Sequence, residues 1–361
     1  MSVPKRSFQL VAWFSLTIFL LAAIACNNNG GSGSSSGSAT LQGAGASFPS
    51  PLYQKWLSEY GKLHPNVRID YQSIGSGGGI KQLKEQTVDF GASDAPMTDA
   101  DLKSAPGEIV HVPTVLGAVV ITYNLEGMKQ PLRFSSETLS DIFLGKIKKW
   151  NDPKIAADNP GVTLPTRDVT VIHRSDSSGT SAVFTDYLSK VSPEWKEKVG
   201  SGVSPTWPVG IGGKGNEGVT GQVKNTPNTI GYIELVYAVK NNLPVAHIKN
   251  ASGNFIEPTI DAVTAAAAAS AASMPDDLRV SITNAAGPQA YPISSYTYIL
   301  VYKNQKDAAK GKALVDFLWW GIHEGETFGK ELQYAPLPAD VVKKAEAKID
   351  SVTANGAALR S

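Results

Sequence analysis

The residues of this chain best suited to bind an anion lie in one polar stretch, His173-Arg174-Ser175-Asp176-Ser177-Ser178-Gly179-Thr180-Ser181. The stretch follows a strand-like apolar run and precedes residues with helical spacing, which predicts a loop that ends at a helix start. A helix start exposes unpaired N–H groups and the positive end of the helix dipole, and both favour an anion. The Ser178 and Thr180 hydroxyls add donors, and the Arg174 guanidinium matches a carboxylate or a tetrahedral oxyanion.

Asp176 stands two residues after Arg174, where its carboxylate can hold the guanidinium in position. A plainer interpretation makes Ser178 or Thr180 an N-cap and the charged residues a surface ion pair, because Ser and Thr cap helices very commonly. The stretch alone leaves both interpretations open.

Three more loops with polar groups follow strand-like runs nearer the N-terminus. A small-residue turn carries Ser47 and Phe48 just ahead of a helix, whose first turn suits Pro51. A glycine-rich loop places Ser76 at its edge, and it lacks the lysine of a P-loop and the glycine spacing of a dinucleotide motif. Asp94 ends a third run, either as a helix N-cap or as a hydrogen-bond acceptor among donors.

The repeated order of strand, loop and helix predicts an α/β fold with a largely parallel sheet. Ligands of such folds bind beyond the carboxyl ends of the strands. Because Ser47, Ser76, Asp94 and the Arg174 loop all stand at such ends, we expect them to lie together in one site.

Three other segments give structural expectations of their own. The apolar run 108–121 is interrupted by Pro113 and Gly117, which predicts two strands with a hinge between them. The alanine-rich run 261–273 predicts a peripheral helix with few side chains to pack. The polar tail beyond Ala345 is expected to be frayed.

Composition narrows the classes of function. The chain has 361 residues, of which 42% are hydrophobic and 18% are charged, so it has a globular composition and room for two domains. The formal net charge of +1 gives no basic excess for binding nucleic acid, and a single cysteine excludes an intrachain disulfide. No His, Cys or Asp cluster has the spacing of metal ligands, and we predict no cofactor.

The N-terminus predicts export. Two basic residues precede an apolar run from Phe8 to Ile24, as in the charged and hydrophobic parts of a signal peptide. Small residues then lead to Cys26, and this segment resembles a bacterial lipoprotein signal, in which the cysteine is lipidated and becomes the mature N-terminus. We favour lipidation at Cys26 over simple cleavage or a retained helix, with residues 1–25 as signal peptide and residues 26–40 as a flexible tether.

Six segments of the chain have the form and order of one protein family. They are Gly43-Ala44-Gly45-Ala46-Ser47-Phe48-Pro49, Ile74-Gly75-Ser76-Gly77-Gly78-Gly79, Asp89-Phe90-Gly91-Ala92-Ser93-Asp94, Arg174-Ser175-Asp176-Ser177-Ser178-Gly179-Thr180-Ser181, Phe143-Leu144-Gly145-Lys146-Ile147-Lys148-Lys149-Trp150-Asn151-Asp152 and Gly210-Ile211-Gly212-Gly213-Lys214-Gly215-Asn216. Together they resemble the periplasmic phosphate-binding protein of the bacterial ABC-type phosphate importer. The resemblance runs from Leu41 to about Val342 and is thinnest across the alanine-rich run.

The resemblance implies a two-lobed α/β fold, the type II periplasmic-binding-protein fold. Each lobe is then a mainly parallel sheet flanked by helices, with the ligand in the cleft between the lobes. Residues 41–112 and 291–361 would form lobe 1, and residues 113–290 would form lobe 2. Pro113 and the Tyr291-Pro292 step would be hinge points, and hinge closure is the expected motion.

The resemblance also implies a role for each residue of the site. Hydroxyls and backbone N–H groups would donate to phosphate, Arg174 would form the charged bond with Asp176 orienting it, and Asp94 would accept. The residues so assigned are Ser47, Phe48, Ser76, Asp94, Arg174, Ser178, Gly179 and Thr180, with Asp176 beside Arg174. Ser47 stands where threonine is common, and His173 stands where a second arginine can occur.

The chemistry of the two common oxyanions predicts selectivity. Phosphate at neutral pH still carries a proton and sulfate carries none, so a buried Asp94 accepts a hydrogen bond from phosphate but faces a second acceptor on sulfate. Sites built this way can reject the analogue without the hydrogen by about 10⁴ or more. We therefore expect high-affinity phosphate capture, selective against sulfate, and delivery to the membrane permease of an ABC-type importer.

Other functions are weighed against this one. A hydrolase built on Ser178 and a nearby histidine is disfavoured, because the nucleophile-elbow pattern is absent and the histidines are scattered, so we predict no enzyme. Sulfate, molybdate or arsenate is an alternative ligand, and arsenate shares the proton pattern of phosphate. A sensor or adhesin would use the same capture module. We expect an exported monomer at the periplasmic or cell-surface face, held to the membrane only by its lipid at Cys26.

Overall fold

An eight-stranded mixed sheet carries the fold in a computed structural model that describes residues 38–128, 130–271 and 274–360. The strands, in chain order, are β1 (Ala39–Gly45), β2 (Val67–Ser73), β3 (Phe90–Ser93), β4 (Ile109–Asn124), β5 (Arg133–Phe134), β6 (Thr170–Arg174), β7 (Ile211–Gly213), β8 (Thr229–Glu234), β9 (His247–Lys249), β10 (Phe255–Ile256), β11 (Ser294–Tyr302), β12 (Asn304–Gln305), β13 (Thr353–Ala354) and β14 (Ala357–Ala358). The predicted signal peptide and the predicted lipidation at Cys26 lie outside the described residues.

Helices cover the sheet and alternate with its strands. They are α1 (Ser50–Leu63), α2 (Ser76–Lys84), α3 (Asp99–Lys103), α4 (Ser136–Phe143), α5 (Pro153–Asp158), α6 (Gly179–Val191), α7 (Pro193–Lys198), α8 (Gly215–Asn225), α9 (Leu235–Asn241), α10 (Ile260–Ala271), α11 (Ala308–Ile322) and α12 (Ala339–Asp350). Two short 3-10 helices follow α11, at Glu324–Phe328 and Lys330–Leu332. Within the described ranges, no helix is long and apolar enough to cross a membrane.

The order of strands in the main sheet is β2-β1-β3-β11-β4-β8-β6-β7. At one end β1 pairs in parallel with β2 and β3, and at the other end β6 pairs in parallel with β7 and β8. Between them β11 and β4 run antiparallel to their neighbours. The predicted α/β fold with a largely parallel sheet is therefore confirmed, with two antiparallel strands joining its parallel parts.

The strand β4 belongs to both parts of the sheet. Its residues 109–118 pair with β11, and its residues 119–124 pair with β8. The prediction of two separate strands here is wrong, because the chain continues as one strand through Pro113. Pro113 lies opposite Tyr298, and the next residue, Thr114, has no partner in the register with β11; such a bulge tolerates the missing N–H of a proline.

Helix α1 fixes the loop that carries Ser47. Pro51 stands in its first turn, where the absent N–H costs nothing. Leu52, Trp56 and Tyr60 recur at helical spacing and are buried, and the Trp56 ring packs edge-on against α11. The loop before α1 is thus held between a strand end and a packed helix.

Two expectations about the C-terminal half are wrong. The alanine-rich helix α10 is not peripheral, because Ala262, Ala266 and Ala267 are buried and the helix packs against β4 and β11. Small side chains allow this close approach. The tail is not frayed, because α12 buries Ala345 and Ile349 and leads into the β13–β14 hairpin, which pairs with β12.

Ala266→Leu is expected to destabilise the protein by about 1–3 kcal/mol, because the extra methylenes must enter a packed helix–sheet interface. Ala266 has no exposed surface, whereas Ala268 on the same helix is exposed, so Ala268→Leu is the matched control. Urea unfolding of both variants measures the difference. Equal stability of the two variants would contradict the packing of α10 against the sheet.

Candidate functional site

The predicted site residues lie at three strand ends and three helix starts. Ser47 follows β1, Asp94 follows β3 and Arg174 ends β6, while α2, α6 and α8 begin at Ser76, Gly179 and Gly215. Every predicted side chain of the site except that of Asp176 belongs to a buried residue, namely Ser47, Phe48, Ser76, Asp94, Arg174, Ser178 and Thr180. Hydrogen bonds link several of these residues to one another.

The Arg174 guanidinium is the only cation that the contacts place within this cluster, as far as the described residues extend. Its side chain is 1% exposed, and it donates from Nε and NH2 to the two carboxylate oxygens of Asp176, at 2.8 and 2.6 Å. Its third nitrogen donates to Thr180 Oγ1 at 3.2 Å. The two-point pairing fixes the plane of the guanidinium, as expected for a bidentate Arg–carboxylate pair.

Asp176 is held from two sides. Its Oδ1 also accepts the backbone N–H of Gly215 at the start of α8, at 3.0 Å. Burial acts to raise the pKa of Asp176, but the hydrogen bonds and charge of Arg174, with the Gly215 N–H, outweigh it and lower the pKa. Asp176 is therefore an anion at neutral pH, and its charge compensates that of Arg174.

Asp94 has one carboxylate oxygen without a partner, as does the neighbouring buried residue Glu234, whose N–H bonds Asn216. Its Oδ1 accepts from Thr297 Oγ1 at 2.9 Å, while Oδ2 is buried and receives no hydrogen bond from any residue the structure describes. Burial raises the pKa of Asp94 to about 7, against the opposing effects of the Thr297 bond and the Arg174 charge. The N-cap interpretation of Asp94 is wrong, because Thr98 caps α3.

The hydroxyls of the site all accept N–H groups of the protein. Ser76 Oγ accepts from the Asp94 N–H at 3.3 Å, and Ser47 Oγ accepts from the backbone and side chain of Asn216. Ser178 Oγ accepts from the Ser181 N–H at 3.0 Å, so the plainer N-cap interpretation is correct for Ser178. An N-cap hydroxyl uses its oxygen as acceptor and keeps its own proton to donate elsewhere.

Backbone donors complete the cluster. The N–H groups of Phe48, Ser76, Gly179 and Thr180 lie at or just before the first turns of α1, α2 and α6. No acceptor for these four N–H groups is found in the described part of the chain. The first N–H groups of a helix have no acceptor within the helix, so these groups are available as donors.

Glycines let the helix starts touch. A Cβ on Gly179 would lie 2.3 Å from Ser76 Oγ and 2.5 Å from Asp94 Oδ2. Gly75 has a φ of 88° and ends the loop before α2, where a Cβ would lie 2.5 Å from Asp176 Oδ2. The Gly77 N–H then donates to Ser177 O at 3.0 Å, which joins the α2 start to the loop before α6.

Two residues of the cluster escaped the sequence analysis. Asn216 stands at the start of α8 and bonds both Ser47 and Thr180, and Thr297 on β11 bonds Asp94. Asn216 had a signal, because it follows a short strand and a glycine turn as the other site residues do. Thr297 had none, since it stands inside a regular strand.

The site lacks the geometry of a serine hydrolase. The His173 ring stacks on Trp207 with centroids 5.0 Å apart, and its Nδ1 lies 3.0 Å from Arg174 O. Ser178 Oγ is engaged as a helix cap instead of bonding a histidine. Among residues 38–360, apart from the few undescribed positions, no group of three or more His, Cys, Asp or Glu side chains is arranged to hold a metal ion.

The order of the strands and the meeting of their ends define the type II fold of periplasmic binding proteins. A family model described as "PBP superfamily domain" matches residues 30–319. Among solved structures, a phosphate-binding protein from Stenotrophomonas maltophilia is similar in fold, with a TM-score of 0.65 at 20% sequence identity, covering 85% of this chain and 93% of that chain.

Closer relatives are found among curated sequences. The phosphate-binding protein PstS of Xylella fastidiosa (strain 9a5c) is 46% identical over 311 residues, which cover 86% of this chain and 85% of that protein. The phosphate-binding protein PstS of Pasteurella multocida (strain Pm70) is 46% identical over 310 residues, covering 86% and 89%. The chain belongs to the family of periplasmic phosphate-binding proteins of the ABC-type phosphate importer, and the resemblance found in its sequence motifs is confirmed.

Asp94→Asn is expected to stabilise the ligand-free protein above about pH 7. The unfolded chain loses the Asp94 proton near its ordinary pKa of 3.8, whereas the folded protein keeps it up to about pH 7. The free energy of unfolding of the unchanged protein therefore falls as pH rises between these two values. Above them it stays lower, by an amount on the order of a few kcal/mol.

Urea unfolding of phosphate-free protein across this pH range measures the effect. Asp168→Asn is the control, because the pKa of Asp168 is lowered by its bond to Lys149 instead of raised by burial. The gain from Asp94→Asn should grow with pH and fade toward about pH 4. A gain that is the same at every pH would contradict the burial of a charged Asp94.

Proposed function

We propose that this protein binds inorganic phosphate in the site around Arg174 and Asp94 and delivers it to the membrane permease of an ABC-type phosphate importer. The observation that carries the proposal is an unpartnered carboxylate oxygen, Asp94 Oδ2, in a buried cluster that also holds the Arg174 guanidinium and four hydroxyls. The names of the curated relatives support the same ligand.

Each donor has a role in this proposal. Arg174 gives the charged hydrogen bond, and Asp176 holds its guanidinium in the required plane. Ser47, Ser76, Ser178 and Thr180 donate through their hydroxyls, and Phe48, Ser76, Gly179 and Thr180 donate through their backbone N–H groups. Three helix starts add their positive dipole ends, so a neutral protein binds an anion through local geometry.

Asp94 provides the selectivity. A protonated phosphate oxygen can donate to Asp94 Oδ2, whereas sulfate offers only acceptors and leaves two buried negative groups in contact. Thr297 occupies Oδ1 and so leaves Oδ2 as the free acceptor. Burial raises the pKa of Asp94 to about 7, so its proton is exchanged near neutral pH in the ligand-free protein.

Binding requires the two parts of the sheet to close around the ligand. In the proposed division, residues 41–112 and 291–361 form lobe 1, and residues 113–290 form lobe 2. Contacts between the two support closure, since Tyr237 OH donates to Ser47 O at 2.6 Å and Gly77 N–H donates to Ser177 O at 3.0 Å. Pro113 and the Tyr291-Pro292 step are the proposed hinge points.

The proposal extends to location and assembly. The protein is exported, is lipid-anchored at Cys26 to the periplasmic or cell-surface face of a membrane, and acts as a monomer without catalytic activity. Arsenate, with the same proton pattern as phosphate, is a competing ligand. Calorimetric titration with phosphate and then sulfate, after unfolding and refolding to remove carried phosphate, tests the proposal. No heat with phosphate would overturn it.

Asp94→Asn is expected to narrow the gap between phosphate and sulfate affinity, which in the unchanged protein should be about 10⁴ or more at pH values well above 7, where Asp94 is a carboxylate. The amide can donate to a sulfate oxygen, so the repulsion that excludes sulfate is lost. Titration with both anions measures the gap. Asp89→Asn is the control, because that carboxylate bonds Lys310 and lies outside the site.

The pH dependence of the difference between phosphate and sulfate affinity tests whether the Asp94 proton controls selectivity. Below about pH 7 Asp94 becomes a carboxylic acid that donates to sulfate, so the gap of the unchanged protein should narrow as pH falls through this value. The gap of Asp94→Asn should change little with pH. An unchanged gap in Asp94→Asn at every pH would remove Asp94 from the proposed selectivity.

Gly179→Ala is expected to weaken phosphate binding by about ten- to hundredfold. This factor corresponds to the free energy that overpacking a tightly packed contact costs. The added Cβ meets Ser76 Oγ, Asp94 Oδ2 and Asp94 Cβ, so the start of α6 must move away from the other loops. Gly221→Ala on α8 is the control, because nothing lies within 4 Å of its Cβ position. Equal affinities of the two variants would contradict the closed geometry of the site.

A further inference from the structure

Asn216 links two hydroxyls of the site from the start of α8. Its side chain is fully buried, and Nδ2 donates to Ser47 Oγ at 2.9 Å and to Thr180 Oγ1 at 3.1 Å. The two amide hydrogens are therefore both used, one on each hydroxyl. Ser47 follows β1 at one end of the sheet, and Thr180 follows β6 at the other, so one side chain joins the two parts.

The orientation of the Asn216 amide is fixed by its other end. Oδ1 accepts the backbone N–H of Glu234 at 2.9 Å. A flipped amide would turn Nδ2 toward that N–H and place two donors together, which the geometry excludes. The amide therefore presents donors, and only donors, to the two hydroxyls.

Each of these hydroxyl oxygens receives a second donor. Ser47 Oγ also accepts the backbone N–H of Asn216 at 3.2 Å, and Thr180 Oγ1 also accepts from Arg174 NH1 at 3.2 Å. A hydroxyl oxygen has two lone pairs and one proton. With both lone pairs occupied, Ser47 and Thr180 can only donate, whereas Ser76 and Ser178 each accept a single N–H.

We infer that Asn216 is a positioning residue that sets the polarity of the binding site, by making the Ser47 and Thr180 hydroxyls obligatory donors. This inference rests on the proposed function, because the protons so directed need an anion to accept them. It assigns selectivity for the protonation state of phosphate to Asn216 together with Asp94. Asp94 is then left as the acceptor for the ligand proton, since two hydroxyls can no longer compete for it.

Removing the amide should change which form of phosphate binds. In Asn216→Ala each hydroxyl keeps one donor, the Asn216 N–H or Arg174, and regains a free lone pair. A freed lone pair can accept a proton from the dihydrogen form of phosphate. Affinity for that form, relative to the monohydrogen form, should therefore rise.

The charged groups on the elements around the two hydroxyls are the same in Asn216→Ala as in the unchanged protein. They are Arg174, Asp176, Asp94, Glu217 and Glu234.

The first test compares Asn216→Ala with Asn159→Ala by phosphate titration of the purified protein. Asn159 is a matched control, because it is buried, donates both amide hydrogens to Arg133 O and Ile155 O, and accepts the Arg133 N–H away from the site. We expect Asn216→Ala to lose roughly ten- to hundredfold in affinity, from two hydroxyl donors that are no longer held, and Asn159→Ala to lose none.

Two measurements distinguish a role of Asn216 in directing the hydroxyl protons from a purely structural role. Titrations at a pH that favours each phosphate form should show a raised preference for the dihydrogen form in Asn216→Ala alone. In a double-mutant cycle with Thr180→Val, the affinity loss of the double variant should be at least about threefold smaller than the product of the single losses, because Asn216 acts through that hydroxyl. An unchanged form preference with independent, multiplicative losses would overturn the inference and leave phosphate binding in place.

A measurement on the unchanged protein covers the case in which Asn216→Ala does not fold. Neutron diffraction of deuterated crystals grown with phosphate locates the hydroxyl deuterium atoms of Ser47 and Thr180. Both should point at phosphate oxygens, with the Asn216 amide deuteriums on the hydroxyl oxygens. A deuterium of either hydroxyl on Asn216 Oδ1 would overturn the inference. Failure of the unchanged protein to bind phosphate at all would instead overturn the proposed function.

Discussion

Buried hydrogen-bond donors need an acceptor, and this requirement governs the centre of the molecule. Taking an N–H group or a guanidinium out of water without a partner costs free energy that no part of the fold recovers by itself. Asp176 satisfies part of Arg174, and Asn216 has all its own groups bonded. The N–H groups at the helix starts have no partner among the described residues, and in the proposed function the anion supplies the acceptors that they need.

The sheet provides the convergence that this arrangement requires. Strands β1, β3 and β6 end at the same region although they belong to opposite parts of the sheet, because β4 and β11 run between those parts as continuous antiparallel strands. Glycines at the helix starts then remove the side chains that would keep the loops apart. Backbone groups can approach a ligand closely only where such side chains are missing.

The sequence predicted the parts of the site whose signal is local. The loop from Arg174 to Thr180 carries its charge, hydroxyls and helix start within a few residues, and the structure keeps them together. Thr297 could not be found in this way, because it contacts Asp94 across 203 residues from an ordinary strand position. Pro113 made the prediction of β4 wrong, because β4 tolerates this strand-breaking residue beside its own unpaired residue, Thr114. The alanine-rich run also led to a wrong prediction. Its small side chains indicated weak packing, whereas they allow α10 to pack closely against the sheet.

The position of β11 has a consequence for how the chain folds. It lies between β3 and β4 and pairs with both, yet it is made from residues that follow β4 by about 170 positions. During synthesis, which begins at the N-terminus, β3 and β4 each keep an unpaired edge until nearly the whole sequence is available. The loop that must close is long, and non-local pairing of this kind slows folding. The sheet is completed late, so the strand that closes it also decides when the binding site first exists.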